Sequence, residues 1–294
     1  MKFLEFIAFR LLVALFWLLP FWAIYILSDF FFFLLYYIVK YRREVAFDNL
    51  QKCFPGKSEK EIEKMNKEFF RHLTDISLES IKGMSINKKS LDKRYKIENA
   101  ELINSYFEQN KSVMCLTSHY GNWEYGILAT DSAIKHQAVA LYLPLSNKLS
   151  EKYGLKRRGR FGMQMLEVSK TKNIFLTKPE KPVAIIMAAD QSPANLEKAF
   201  KITFLNRPTA CLYGPEVYAK KVGLAILYLK ISKTKRGHYI LKFEKLIKSP
   251  KSLEEGEVTK IYFNRLEKDI LAKPEYWLWS HRRWKHNLDN YKIL

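Results

Sequence analysis

The feature that most constrains how this chain can fold is its apolar N-terminal segment. Residues 11–27 form an uninterrupted apolar and aromatic run, and after Ser28 and Asp29 a second run covers residues 30–39. A helix needs about 20 apolar residues to cross the hydrocarbon core of a bilayer. The segment therefore predicts either one tilted span centred on the first run, or a re-entrant hairpin that turns near Ser28 and Asp29.

The residues that follow this segment indicate that it is kept and that it orients the chain. It ends in aromatic residues and then in Lys40, Arg42 and Arg43, whereas a cleavable signal peptide ends in small residues. Basic residues beside an apolar segment favour the cytoplasmic side of a membrane. We therefore predict a membrane anchor over residues 1–40 and a cytoplasmic catalytic domain over residues 41–294.

The charge of the chain limits its partners without choosing among them. There are 50 Lys and Arg against 30 Asp and Glu, a formal charge of +20. Such a surface attracts nucleic acid, an anionic membrane or an acidic carrier protein. Only the charge favours a nucleic-acid binder, so we expect a membrane partner and no nucleic acid. The three cysteines are far apart in the sequence, which favours neither disulfides nor a metal site.

Between the anchor and the C-terminus, helix-like and strand-like segments alternate. Ser58 and Glu61 have the spacing of a capping box, and apolar residues then recur every three or four positions as far as Gly83. Beyond this helix, short apolar strands and amphipathic helices follow one another. This alternation predicts an α/β fold with a mixed, partly parallel central sheet flanked by helices.

A candidate catalytic pair follows a buried strand over residues 113–117. His119 and Glu124 lie in the sequence Ser-His-Tyr-Gly-Asn-Trp-Glu, directly after this strand. A loop containing Gly121 can bring the carboxylate of Glu124 to one ring nitrogen of His119, which leaves the other nitrogen free to accept a proton from an alcohol. The alternative is a structural histidine beside an unrelated helix-capping acid, and the spacing alone does not decide between them.

This motif and several later blocks resemble one family. Residues 118–124 are similar to the H-x4-E signature, usually H-F-G-N-W-E, of the late lipid A acyltransferases within the lysophospholipid acyltransferase superfamily. The resemblance continues in the blocks at residues 142–147, 158–162, 189–193 and 277–284 and covers nearly the whole chain. The last block is aromatic and basic, and it suits either the membrane interface or packing on the core.

The resemblance implies roles for particular residues. His119 would be the general base, and Glu124 would support it. The substrate-binding residues it implies are Asn122, Arg158, Asp190 and Gln191, with Arg157 and Arg160 as competitors for the place of Arg158. Arg158 or a backbone N–H near Gly121 would stabilise the oxyanion.

The resemblance also implies the reaction and its setting. An acyl group would pass from acyl carrier protein or acyl-CoA to a hydroxyl of a lipid A precursor or a related lipid, at the bacterial inner membrane. Neither a cofactor nor a metal would be needed. The alternatives are an acyl-CoA-dependent lysophospholipid or aminolipid acyltransferase, a hydrolase and a non-catalytic binder. A hydrolase is disfavoured because the chain lacks a G-x-S-x-G elbow.

Overall fold

The computed structural model of the chain describes residues 2–176, 179–197, 199–286 and 288. The α-helices in this part are α1 (Lys2–Leu18), α2 (Phe21–Phe33), α3 (Arg43–Cys53), α4 (Glu59–Gly83), α5 (Lys88–Arg94), α6 (Ala100–Glu108), α7 (Trp123–Ala129), α8 (Lys148–Arg158), α9 (Thr171–Leu176), α10 (Gly214–Val222) and α11 (Glu257–Ala272). The strands are β1 (Tyr95–Glu98), β2 (Val113–Thr117), β3 (Gln137–Tyr142), β4 (Gln164–Glu167), β5 (Val183–Ala188), β6 (Ala199–Phe204), β7 (Arg207–Leu212), β8 (Ala225–Lys235) and β9 (His238–Ile247).

Seven of these strands form one sheet in the order β1-β9-β8-β2-β5-β3-β4. Neighbouring strands are parallel except β8 and β9, which form an antiparallel hairpin. Every residue of β2 is buried, as expected for a central strand covered by helices on both faces. The predicted α/β fold with a mixed, partly parallel sheet is therefore confirmed. Strands β6 and β7 pair separately.

The register of β2 and β5 determines where the catalytic groups meet. These strands are parallel neighbours, with Thr117 paired to Ala188 at their carboxyl ends. His119 and Asp190 each lie two residues beyond this last pair. Because the carboxyl ends of parallel strands share one edge of a sheet, the two residues emerge side by side.

Helix α4 connects the N-terminal helices to the sheet. It begins with the predicted capping box, in which the Ser58 hydroxyl accepts the Glu61 N–H and the Glu61 carboxylate accepts the Ser58 N–H. Its buried face packs on the core and on α2. The Lys82 amine, near the end of α4, donates to three backbone carbonyls at the end of α1, those of Phe16, Trp17 and Leu19. The N-terminal helices are thus fixed to the domain by polar as well as apolar contacts.

The N-terminal segment breaks between α1 and α2 at Leu19 and Pro20, because proline has no N–H to continue a helix. Of the two geometries that the sequence left open, the hairpin turning near Ser28 and Asp29 is wrong, because both residues lie within α2. Within the described residues, one segment, 21–38, is long and apolar enough to cross a membrane.

Candidate active site

His119 lies at the carboxyl end of β2 and is held by Asp190. The Nδ1 atom of the ring is 2.8 Å from Oδ1 of Asp190, and the backbone N–H of His119 donates to Oδ2 at 3.0 Å. Trp277 donates its indole N–H to the same Oδ2 at 2.9 Å. With its Nδ1 proton donated to the carboxylate, the ring has its other nitrogen available as a proton acceptor.

The electrostatics of this pair suit a histidine that takes up a proton. Burial on its own would lower the pKa of His119, but the charge and hydrogen bond of Asp190 outweigh burial and raise this pKa above its ordinary value. Burial on its own would raise the pKa of Asp190. The charge of His119, followed by the hydrogen bonds from His119 and Trp277, lowers the pKa of this carboxyl below its usual value, so it stays ionised. The charged imidazolium that a base forms is therefore stabilised.

The second ring nitrogen of His119 faces the opening of the site. Nε2 lies 3.3 Å from the side-chain amide of Gln191, which is a long and weak contact. The His119 side chain retains 21% of its exposure, whereas that of Asp190 retains 3%. Trp123 stands edge-on to the imidazole with the ring centroids 5.1 Å apart. A substrate hydroxyl can therefore approach Nε2 by displacing the amide.

Glu124 is not the carboxylate that binds the His119 ring, and this part of the prediction is corrected by the structure. Its two oxygens accept hydrogen bonds from Nε and Nη2 of Arg158, at 3.0 and 2.7 Å. Glu124 lies in the first turn of α7, and Arg158 reaches it from the end of α8. The charge of Glu124 still favours protonated His119, but less than that of Asp190.

The three candidate arginines are separated by the structure. Arg158 is the one that reaches the motif, through Glu124. Arg157 donates to the Met84 carbonyl and Arg160 to the carbonyls of Gly83 and Ile86, so both support the loop after α4. The prediction that placed Arg158 beside the motif therefore agrees with the geometry.

Asn122 is placed differently from the substrate-binding role expected of it. It is 1% exposed, its side-chain oxygen accepts the Tyr125 N–H at the start of α7, and its amide donates to Glu79 at 2.6 Å. Both ends of the side chain are thus used inside the protein. Asn122 fixes the start of α7, and direct contact with a substrate is not supported.

The backbone N–H of Gly121 is also used within the protein. Gly121 has φ of +62°, and a Cβ there would lie 2.6 Å from Cγ2 of Ile231, so a larger residue does not fit. Its N–H donates to the Tyr276 carbonyl at 2.9 Å. The N–H of Gly121 itself is therefore not available to an oxyanion.

Two residues of the C-terminal block, Trp277 and His281, lie at the site although no role was predicted for them. Trp277 holds Asp190, and Nε2 of His281 accepts the Ser192 N–H at 3.0 Å. Burial lowers the pKa of His281 to about 4, so it stays neutral at pH 7. Trp277 and Trp279 are almost fully buried, so this block packs on the core instead of the membrane interface. The match of residues 277–284 to the family blocks was the signal that could have assigned them.

An apolar cavity begins beside the catalytic motif. It runs under α7 along the sheet, and its wall includes Thr117, Trp123, Ile127, Met163, Ile186 and Ile231. Thr117 and Trp123 flank His119 in the sequence, so the cavity starts next to the base. Among the residues described here, no group of three or more His, Cys, Asp or Glu side chains is placed to hold a metal ion.

The chain is similar to known proteins over most of its length. Residues 2–286 match the family model described as bacterial lipid A biosynthesis acyltransferase. The chain is 27% identical over 249 residues to a lipid A biosynthesis palmitoleoyltransferase of Escherichia coli (strain K12), covering 84% of this chain and 80% of that protein. It is 24% identical over 251 residues, with the same coverage, to a lipid A biosynthesis lauroyltransferase of the same organism.

Proposed function

The chain belongs to the bacterial lipid A biosynthesis acyltransferase family and is an acyltransferase. We propose that it acylates a hydroxyl of a lipid A precursor and that His119 is the general base. The observation that carries this proposal is the His119–Asp190 contact. It holds the proton on Nδ1 and leaves Nε2 with a long contact to the Gln191 amide, while Thr117 and Trp123, near His119 in the sequence, line an apolar cavity.

The proposed mechanism is direct transfer. Nε2 of His119 removes the proton of the acceptor hydroxyl, and the oxygen attacks the thioester carbonyl of the donor. The tetrahedral intermediate then expels the thiolate, which takes the proton back from Nε2. A well-placed general base contributes about 10² to 10⁴ in rate. Asp190 keeps the ring in the correct tautomer and stabilises its charged form.

We assign the Glu124–Arg158 pair to binding and charge stabilisation. The two bonds to Glu124 use Nε and Nη2 of Arg158, and the guanidinium carries a further donor group, Nη1. The side chain is partly exposed at the rim of the site. It can stabilise the oxyanion or bind a phosphate of either substrate. Glu124 is then a positioning residue for Arg158.

We propose that the acyl chain enters this apolar cavity, which is about 60 Å³ in this structure and has to widen to take a whole chain. Its wall is almost entirely aliphatic and aromatic, and it lies directly under the catalytic motif. Each methylene moved from water into such a site gains about 0.8 kcal/mol. A thioester at His119 would thus direct its hydrocarbon chain away from water. We propose acyl carrier protein or acyl-CoA as the donor, because both carry a fatty acyl thioester.

We propose that residues 1–40 attach the domain, residues 41–294, to the cytoplasmic face of the inner membrane. One face of α2 makes polar contacts with the domain: Tyr25 to Glu79, Ser28 to Asp75, and Asp29 to Arg236. The opposite face exposes apolar residues, including Trp22, Ile26, Phe30 and Phe33. A helix bound along its length to the domain fits a place within one leaflet better than a span.

The test is an acylation assay with two donors. Membranes carrying the protein are incubated with labelled acyl carrier protein thioester or labelled acyl-CoA and a bacterial lipid extract, and the products are identified by mass spectrometry. We expect an acylated lipid A precursor from wild type and from the control His238→Ala, and a loss of about 10² to 10⁴ in rate from His119→Ala. Equal rates for all three proteins would refute the role of His119. Acylation of a lysophospholipid instead would refute the acceptor.

A further inference from the structure

Besides the apolar cavity, the protein has a polar cavity of two chambers, one strand away from His119. Its outer chamber, about 530 Å³, adjoins α2 and includes Phe32, and its inner chamber, about 560 Å³, includes His72. The two chambers share Arg71, Asp75, Lys233 and Tyr276 and are therefore continuous. We call them together the basic cleft. The proposed mechanism uses none of these residues.

The outer chamber has more positive than negative charge. Its wall contains the cations Arg71, Lys233, Lys235 and Arg236 and the carboxylates Asp29 and Asp75, so four positive charges face two negative ones. Arg236 binds both carboxylates, at 2.6 Å to Asp29 and 2.7 Å to Asp75, and Lys233 lies 3.3 Å from Asp75. The formal surplus of two positive charges matches a phosphate monoester, which carries about −1.5 to −2 at pH 7.

Arg71 is arranged to bind a group from outside the protein. Its guanidinium lies over the ring of Phe32, 5.0 Å from the centroid. The nearby carboxylate of Asp75 is already bound by Arg236 and Lys233. A guanidinium resting on an aromatic ring keeps its N–H groups free in its own plane, where they match two oxygens of a phosphate.

The inner chamber holds a buried imidazole with an unused nitrogen. His72 is 3% exposed, lines the chamber and stands edge-on to Tyr276, with the ring centroids 4.9 Å apart. At most one ring nitrogen reaches the backbone of Gly121, so the other has no hydrogen-bond partner within the described residues. Burial and the charge of Lys233 lower the pKa of His72, so the ring is neutral. A buried polar atom without a partner points to a ligand or a water.

The position of the cleft connects it with both the membrane and the active site. Lys233 lies near the carboxyl end of β8, which pairs directly with β2, so the cleft and His119 share one edge of the sheet. The Gly121–Tyr276 hydrogen bond lies between them. On the other side, Phe32 belongs to α2, whose neighbouring Phe31 and Phe33 are exposed. A molecule in the same leaflet as α2 can therefore place its headgroup in the cleft.

We propose that the basic cleft binds the phosphate of a lipid headgroup through Arg71 and Lys233, so that the phosphorylated acceptor is held one strand away from the base. This inference rests on the proposed function in one respect, that the acceptor is a membrane lipid. The outer chamber, with its surplus of two positive charges, takes the phosphate, and the inner chamber takes the polar remainder of the headgroup beside His72. The cleft then selects phosphorylated lipids over neutral ones.

The direct test is binding of a soluble lipid probe to the full chain. Isothermal titration compares dihexanoyl phosphatidic acid, dihexanoyl glycerol and inorganic phosphate. We expect binding of the phosphatidic acid to weaken by about tenfold or more in Arg71→Gln/Lys233→Gln, since each charge-assisted hydrogen bond contributes about 1.5–3 kcal/mol. The charge-matched control Lys221→Gln/Lys248→Gln changes two exposed lysines outside the cleft and should bind as wild type does.

The possible outcomes separate this inference from the proposed function. His119→Ala should bind the probe as wild type does, so the cleft can be confirmed even where no acyl transfer is found. Unchanged binding in the Arg71 and Lys233 double variant at an unchanged melting temperature would refute the cleft. Equal affinity for inorganic phosphate and phosphatidic acid would refute a lipid site in favour of a free-anion site. In acylation assays, the double variant should raise KM for the acceptor and leave kcat within about twofold, since binding lost equally by substrate and transition state changes KM alone.

Discussion

At the residue scale, the main result is that Asp190, and not Glu124, binds the imidazole of His119. The sequence predicted that Glu124, five positions after His119, would bind the imidazole. In the structure Asp190, 71 positions away, binds it instead, and Glu124 binds Arg158. The physical reason is the parallel pairing of β2 and β5, which brings the residues after each strand to one edge. Local spacing thus pointed to His119 and Glu124, but it assigned Glu124 to the wrong partner.

Because Asp190 binds the His119 ring and Glu124 does not, we expect different pH profiles for Asp190→Asn and Glu124→Gln. Asp190 and Glu124 both raise the pKa of His119, Asp190 by more, and the base acts only when neutral, so activity falls as pH drops through that raised pKa. Asp190→Asn should move this acid limb to lower pH and reduce kcat by about 10² to 10⁴. Glu124→Gln should move the limb less. Measured kcat profiles in which Glu124→Gln has the larger shift would restore the partner predicted from the sequence.

At the element scale, α4 fixes the anchor helices to the site. Glu79 is fully buried and accepts hydrogen bonds from Tyr25 of α2, Asn122 of the catalytic motif and Tyr239 of β9. Burial is the main cause that raises its pKa to about 7. One carboxylate thus connects the anchor, the motif and the sheet. The capping box and apolar periodicity predicted α4 itself, but not the polar residues on its buried face.

The attachment of α1 to α4 can be tested through Lys82. Lys82→Met removes the amine that binds the carbonyls of Phe16, Trp17 and Leu19 and leaves them without this partner. We expect a loss of about 1–3 kcal/mol in the free energy of unfolding, with faster amide exchange in α1. Lys64→Met changes an exposed lysine of the same helix and should cost under about 0.5 kcal/mol. Similar losses from both variants would contradict this role of Lys82.

At the scale of the whole molecule, the N-terminal helices give the protein one apolar side. The large exposed apolar residues are concentrated on α1, on α2 and on the short π-helix, Leu34–Ile38, that follows α2. Residues of the β3–α8 loop, including Leu143 and Leu145, are also exposed, and Asn147 next to them binds the Lys2 carbonyl. The loop and α1 are therefore neighbours. Their shared apolar surface suits one lipid leaflet.

This arrangement predicts which substitutions release the protein from membranes. Ile26→Asp and Phe30→Asp place charges on the exposed face of α2, where burial in lipid is expensive, and should reduce flotation with anionic vesicles. Val222→Asp on α10 also changes an exposed apolar residue, but far from α2 in the sequence, and should float as wild type does. Equal flotation of all variants, with unchanged melting temperatures, would contradict attachment through this face.

Patterns along the sequence predicted the helices and strands of this protein and its candidate base. Strand and helix periodicity, the capping box and the charged motif after β2 all depend on neighbours within about four to seven positions, which a sequence shows directly. These patterns indicated the α/β sheet and His119, whereas Arg158 and Asp190 came only from the resemblance to the acyltransferase family. The polarity of Ser28 and Asp29 allowed a turn as one of two geometries, but in the structure it serves contacts with Asp75 and Arg236.

Which groups meet in space depends on the tertiary structure. Asp190 binds His119, Glu79 binds Asn122, and Phe32 packs on Arg71, although the two members of each pair lie far apart in the chain. Strand register and helix packing bring these residues together. A hydrogen bond depends on distances of about 3 Å, and separation along the sequence does not fix such distances once the chain turns back. For this reason the sequence identified a base and a set of acids, and the fold selected Asp190 as the acid that binds the base.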